Sequence, residues 1–466
     1  MVTRLPIVVV AALFALPLAM PLASADGMMH YYSSVYDDWN LSAEETQYGM
    51  INYVDGEERF MLTIRVDSES LDLADAAVWM FAIPADSDTI DIDLMPAVTE
   101  LNGETVADLA RKELCSNLLL GYGTQLYPIL MLPLFGAVDS PLALSDGYRG
   151  LLSTGGDVEV TQHVESSGLT AEVVSTTQAD ALESYLEDRE LHLDDAADSL
   201  IAEYIGQDYS FIISWISDME QFRDEGVLQY DHSTESYYYE LGLYSVFPTD
   251  RIFYPLRLTS IYGETVVPMM LQILGHVEPD DSAFDYGKLG IAVRHSVDDR
   301  YYIYVSQELS EFFTSDAQTI DPYGDFMLDV KYTEVVITAP SEQLEVDLWM
   351  VPTSSASLDV QQWIQENGFV TATMVIIVLS VMTGVIAGII VFGQHRPVLW
   401  KFAALGLANL LTIIGLWLVA RRLEIERTMT RSEIPLSSRQ YRSDFLFVYT
   451  FVFIVSITSV LFVLWR

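Results

Sequence analysis

Lysine is scarce in this chain and cysteine almost absent: of 23 basic residues only four are lysines, and Cys115 is the single thiol. One thiol excludes an internal disulfide framework and any zinc site built from several cysteines. Familiar catalytic strings are missing too. There is no His-Glu-x-x-His, no Gly-x-Ser-x-Gly, no Walker loop and no dinucleotide fingerprint. The seven histidines, His30, His163, His192, His232, His276, His295 and His395, stand without metal-ligand spacing. Positive charge is also short. Between Asp26 and Glu366, 63 acidic residues face 13 basic ones. Such a surface repels nucleic acid and anionic lipid headgroups, and favours cations or basic partners.

What the chain has in quantity is apolar sequence, concentrated at its ends. Of the 466 residues, 51% are hydrophobic. Residues 1–25 combine Arg4, an apolar run and Ala23-Ser24-Ala25, the layout of a secretory signal peptide, with an uncleaved anchor as the alternative. Three later runs, 369–392, 398–420 and 445–464, each reach the roughly 20 apolar residues that a bilayer crossing takes. They predict three transmembrane helices. Gly384 and Gly388, four apart, suit close helix packing in the first. Residues 421–444 form a basic, mixed-charge loop, which the signal peptide and three crossings would place outside, against the usual cytoplasmic preference of positive loops.

Between these ends the sequence predicts an acidic α+β exported domain over 26–280. A β-rich juxtamembrane module follows over 285–352, then a linker over 353–368. Thr46–Val54 and Glu57–Val66 flank Asp55-Gly56, a hairpin signature. Strands are expected over Asp157–Val164 and Leu169–Ser175, around Ser166-Ser167-Gly168; a buried strand is expected over Ala76–Ile83, and helices over Glu104–Leu120, Ala179–Glu187 and Asp198–Tyr204. Arg251–Thr259 has a strand pattern in which Arg257 faces away from Leu256 and Leu258. The apolar, proline-broken stretch Leu126–Phe135 is too short to span a bilayer; core, groove lining and bilayer-surface contact all remain open.

Three stretches resemble an uncharacterised family of exported bacterial and archaeal proteins, a domain of unknown function. The first runs from Asp55-Gly56 through Ala76-Ala77-Val78-Trp79 to Ile83-Pro84. The second joins Ala171-Glu172-Val173-Val174 to Tyr204-Ile205 and Tyr209-Ser210-Phe211. The third is Phe247-Pro248-Thr249-Asp250 with Tyr254-Pro255-Leu256-Arg257-Leu258-Thr259. The resemblance implies an exported domain and supplies no catalytic residues.

Candidate site residues follow from residue type. Asp86, Asp88, Asp91 and Asp93 offer hard oxygen ligands, so Ca2+ or another divalent cation is the candidate cofactor; a solvated acidic face is the alternative. Asp280, Asp281 and Asp285 form a similar group. Arg257 could bind an anion or pair with a carboxylate. Asn40 heads a glycosylation sequon, Asn40-Leu41-Ser42. The expected function is a membrane-anchored envelope protein whose acidic domain binds or scaffolds other envelope or membrane proteins, a glycan or a peptide, without nucleic acid. The alternative is an envelope hydrolase or transferase that uses carboxylates and a divalent cation.

Overall fold

The computed structural model describes residues 28–33, 38–41, 46–67, 76–95, 101–124, 158–193, 195–225, 227–231, 236–282, 284–298, 312, 330–392 and 438–465. The contacts divide the chain into two units. The first comprises residues 1–103 and 145–353; the second comprises 104–144 and 354–466.

The first unit is sheet-rich. Its N-terminal strands are β1 (Met28–Ser33), β2 (Asp38–Leu41), β3 (Thr46–Val54), β4 (Glu57–Asp67), β5 (Ala76–Ile83) and β6 (Asp91–Met95). A two-residue strand of the second unit, β7 (Glu104–Thr105), comes next in the chain. The first unit resumes with β8 (Val158–Ser166), β9 (Leu169–Thr176), β10 (Ser210–Ile216), β11 (Val227–Asp231), β12 (Ser236–Pro248) and β13 (Ile252–Tyr254). It ends with β14 (Met269–Leu274), β15 (Val277–Pro279), β16 (Ala292–Asp298), β17 (Val330–Ile337) and β18 (Leu348–Pro352).

One sheet runs β2-β1-β5-β10-β9-β8; a larger one runs β11-β12-β4-β3-β14-β17-β16, with β6 also on β12; a small one runs β13-β18-β15. The β3–β4 hairpin turns at Asp55-Gly56 and the β8–β9 hairpin at Ser167-Gly168, with all four residues at positive φ as such tight turns require. A Cβ at Gly168 would sit 2.3 Å from the Asp218 carbonyl oxygen, so only glycine fits there.

Strand β5 shows why the sheets stack. Ala77, Trp79, Phe81 and Ile83 face a core shared with Ile51, Phe60, Leu62, Leu271 and Val335 of the larger sheet. The alternate residues Val78, Met80 and Ala82 pack instead with Leu182, Leu186, Ala197 and Ile201. Those four come from two further helices of this unit, spanning Ala179–Glu187 and Asp195–Ile201. A strand covered on both faces reads as the unbroken apolar run seen in the sequence.

The second unit is helical. It contains α1 (Val106–Thr124). The first unit then supplies α2 (Ala179–Glu187), α3 (Asp195–Ile201) and α4 (Met219–Glu225). The second unit resumes with α5 (Ala356–Glu366), α6 (Gly368–Phe392) and α7 (Ser438–Trp465). Its core joins Leu114 and Leu118 of α1 to Ala372 and Ile376 of α6 and Ile457 of α7.

Two expectations are corrected here. Among the described residues the fold is a mixed α/β body, and three transmembrane helices are not found. Among the described residues, Phe447–Leu464 is the one helix long and apolar enough to cross a membrane alone. Ala356–Glu366 and Gly368–Thr383 meet that criterion only as a pair bent by 97°. The expected span 398–420 lies outside the described residues, as do residues 1–25 and Leu126–Phe135. The reason is general: a charge-free run looks the same whether lipid or protein covers it, and α6 buries Ala372, Ile376, Ser380 and Thr383. Nor do residues 285–352 form a separate β-rich module. β16 and β17 continue the sheet that carries β3 and β14, and β18 pairs with β13 and β15. Strand pairing is non-local, so a sequence boundary at Pro279 could not show it.

Candidate functional site

The small sheet, the end of α3 and the segment before β10 gather polar and aromatic side chains from four separate stretches of the first unit. Phe253 on β13 is paired in register with Trp349 on β18. This places Arg251, just before β13, against Trp349, its guanidinium carbon 4.6 Å from the ring centre. Arg251 Nη1 also donates to Asp280 Oδ2 at 2.5 Å. Phe253 and Trp349 rings lie 4.9 Å apart, Tyr209 and Phe253 6.1 Å, and Tyr204 and Tyr209 5.0 Å.

Asp347, one residue before β18, sits beneath this layer and is 8% exposed. Its carboxylate accepts from the Tyr204 hydroxyl at 3.0 and 3.1 Å and from the Arg257 backbone N–H at 3.0 Å. The Tyr286 hydroxyl donates to the Asp347 carbonyl at 2.7 Å and accepts the Trp349 N–H at 3.2 Å. Burial pushes the Asp347 carboxyl up to about 6, and the donors only partly oppose it. Tyr209 is different. Its hydroxyl makes no hydrogen bond to a described residue, and burial, then the Asp347 charge, push it up, so it remains a proton donor.

Chemically, this arrangement offers two partly buried donors, Arg251 and the Tyr209 hydroxyl, beside an aromatic layer. Arg251 keeps 41% of its side chain exposed. The Asp347 carboxylate is spent on internal donors, so it holds the site in place and does not face a substrate.

A second cluster lies on β8, β9 and α2. Glu172, 5% exposed, accepts from His163 Nδ1 at 2.6 Å, from Arg189 at 3.1 Å and from the Tyr185 hydroxyl. Arg189 lies 3.8 Å from the Tyr185 ring centre. His163 Nε2 also meets Glu165 at 3.1 Å. The Glu172 hydrogen bond raises the His163 pKa above its ordinary 6.5, outweighing desolvation. A raised histidine adds stability that is complete below the ordinary value and lost as pH rises through the folded value. His163 is half exposed, so solvent holds the effect to roughly 1 kcal/mol or less. Glu172→Gln is expected to bring the His163 midpoint back toward 6.5, read from its ring-proton NMR titration; an unmoved midpoint would show that Glu172 does not hold this proton.

The residues singled out by sequence fall as follows. Asp86, Asp88, Asp91 and Asp93 are exposed at and before β6. Asp91 takes the Gln162 amide and Asp93 Oδ1 the Leu94 N–H at 2.8 Å. Asp280 serves Arg251 and the Ser282 N–H, and Asp281 the Tyr286 N–H at 3.2 Å. Among the described residues no group of three or more His, Cys, Asp or Glu is arranged to hold a metal ion. Arg257 starts a 3-10 turn over Arg257–Tyr262, not a strand; it is partly exposed between the buried Leu256 and Leu258 and pairs with Glu203. Asn40 lies on β2, and Gly384 and Gly388 on α6. Cys115 is half-buried on α1, where burial raises its thiol pKa.

Sequence reasoning missed Asp347, Tyr209 and Glu172 as members of clusters. One signal was present for Asp347, a charge set between Val346 and Leu348 in a strand pattern. Tyr204, Tyr209 and Arg257 all fall within the strings quoted above, which the fold brings to one place. No family model, no curated protein and no solved structure matches the chain.

Proposed function

We propose that the chain is a membrane-anchored envelope protein whose acidic sheet-rich unit lies on the extracytoplasmic side and binds a partner through Arg251, Tyr209 and the rim of Trp349. The observation that carries this reading is the Tyr209 hydroxyl, a donor without an acceptor among the described residues, near a partly exposed, ring-stacked guanidinium. A partly buried hydroxyl with no acceptor among the described residues, near a partly exposed guanidinium, suits a ligand that brings acceptor oxygens. The engaged Asp347 favours binding over catalysis. The signal-like N-terminus and the surface acidity support the exterior location, and the apolar Phe447–Leu464 helix supports anchorage.

Cross-linking with a membrane-impermeant reagent on intact cells tests site and side together. The full chain should capture a reproducible partner. Arg251→Ala and Tyr209→Phe should each reduce that capture at least fivefold without lowering the melting temperature appreciably. Capture that survives both substitutions would move the site elsewhere. Capture only after lysis would place the unit in the cytoplasm.

A further inference from the structure

The helical unit has an elbow, and its surface changes character there. α5 ends at Glu366 and α6 begins at Gly368, with 97° between them. At the bend Gly368 packs closely on α1: a Cβ there would lie 2.3 Å from the Glu113 side chain, which would have to shift. The elbow is therefore held against the middle of α1. α1 itself divides at that level. Its first half carries Asp108, Arg111, Lys112 and Glu113; beyond Asn117 it reads Leu118-Leu119-Leu120. Leu118 is buried against α6 and α7, whereas Leu119 and Leu120 are 57% and 50% exposed.

On α6, Met374, Val378 and Met382 form an exposed stripe four residues apart. On α7, Phe447 and Phe451 are also exposed, within the helix apolar enough to cross a bilayer. Ile457 of α7 shares a core with Ala372 and Ile376, so the first turns of α6 lie alongside that helix. α5 turns away from α6 at nearly a right angle and exposes Val360 and Trp363, three apart on one helix face. Water would solvate this apolar surface poorly, and the same unit carries a helix apolar enough to cross a bilayer.

We propose that α5 and the C-terminal half of α1 lie in the membrane interface, with Leu119, Leu120, Val360 and Trp363 set into the boundary between headgroups and acyl chains of a zwitterionic bilayer. The inference rests on the membrane-anchored reading. A helix at right angles to a membrane-inserted neighbour lies along the surface, and tryptophan is enriched at that depth. The polar-to-apolar change along α1 falls at the same elbow, independently of α5. Asp359 and Glu366 on α5 disfavour anionic headgroups, which is why the lipid named is zwitterionic.

The test uses the full chain, with Cys115→Ala, in phosphatidylcholine vesicles. Nitroxide labels are placed singly at Leu119→Cys and Val360→Cys. Val378→Cys and Phe451→Cys serve as lipid references and Thr177→Cys as a water reference. Relaxation by oxygen and by a water-soluble nickel chelate reports depth. The oxygen-to-nickel ratio at positions 119 and 360 should be several-fold above that at 177 and several-fold below that at 378 and 451. A ratio equal to that at 177, with 378 and 451 still lipidic, overturns this inference and leaves membrane anchorage standing. Water-like ratios at 378 and 451 as well would overturn the anchorage reading. Protection from both reagents at 119 and 360 would mean that protein, such as a second copy, covers the face, and would also overturn the proposal.

Discussion

Asp347→Ala is expected to be among the most destabilising single substitutions in the sheet-rich unit. The Tyr204 hydroxyl and the Arg257 N–H both end on this carboxylate, from 143 and 90 residues away. Each donor left unpaired in a buried position costs roughly 1–3 kcal/mol, so a loss on the order of 3 kcal/mol follows, against roughly 5–15 kcal/mol for a whole domain. Thermal unfolding of the solubilised full chain measures it. Asn at 347 separates charge from contacts, since its side-chain oxygen still accepts. Burial pushes the folded carboxyl up to about 6 from its ordinary 3.8. A raised acid gives stability that is complete below the unfolded value and lost as pH rises to the folded one. The whole shift corresponds to about 3 kcal/mol, of which roughly 1.5 kcal/mol falls between pH 5 and pH 8. The stability of Asp347→Asn relative to wild type should therefore improve by that amount over this interval. A difference that is flat with pH would mean that Asp347 does not carry the burial penalty seen in the structure.

Glu58 should show the second large effect. It follows Gly56 by two residues on β4, on the same face as Phe60 and Leu62, and is fully buried between the sheets. Its Oε2 accepts the Phe253 N–H at 2.7 Å, while its Oε1 has no hydrogen-bond partner among the described residues. Burial raises its pKa well above the ordinary 4.5, and the Phe253 N–H only partly opposes this. The folded state therefore loses stability as pH rises from 4.5 toward the folded value. Glu58→Gln keeps the acceptor for Phe253 and cannot ionise, so it should gain on wild type as pH rises above 4.5. Glu58→Ala strands the Phe253 N–H, removes buried volume and should cost roughly 2–4 kcal/mol. Parallel pH curves for Gln and Glu at position 58 would show that the carboxyl does not resist ionisation. Because Phe253 lies beneath Arg251 and Trp349, Glu58→Ala should also weaken partner capture, whereas Glu58→Gln should preserve it.

Much of the local structure was legible in the sequence. Asp55-Gly56 and Ser167-Gly168 mark hairpins because a two-residue link between strands needs positive φ. Ala76–Ile83 matches β5 and Ala179–Glu187 matches α2, since periodicity and flanking residues act over one or two turns. Arg257, expected in a strand, lies in a 3-10 turn instead, partly exposed between the buried Leu256 and Leu258. Legibility stopped where partners are distant. α1 read as part of the acidic domain, yet its core partners are Ala372, Ile376 and Ile457, more than 250 residues onward. Glu172 read as one carboxylate in a strand, not as the meeting point of His163, Tyr185 and Arg189.

The sequence by itself determined the quantities that need no partner: the acidic charge, the single thiol, the hairpin turns and the apolar runs. The tertiary structure alone decided which carboxylates are buried, which arginine faces outward, where α1 belongs, and that β16 and β17 continue the larger sheet. Turns, charge and helical periodicity arise from residues within a few positions of one another. Burial and its effects on pKa arise from contacts across hundreds of residues, and those exist only once the chain has closed on itself.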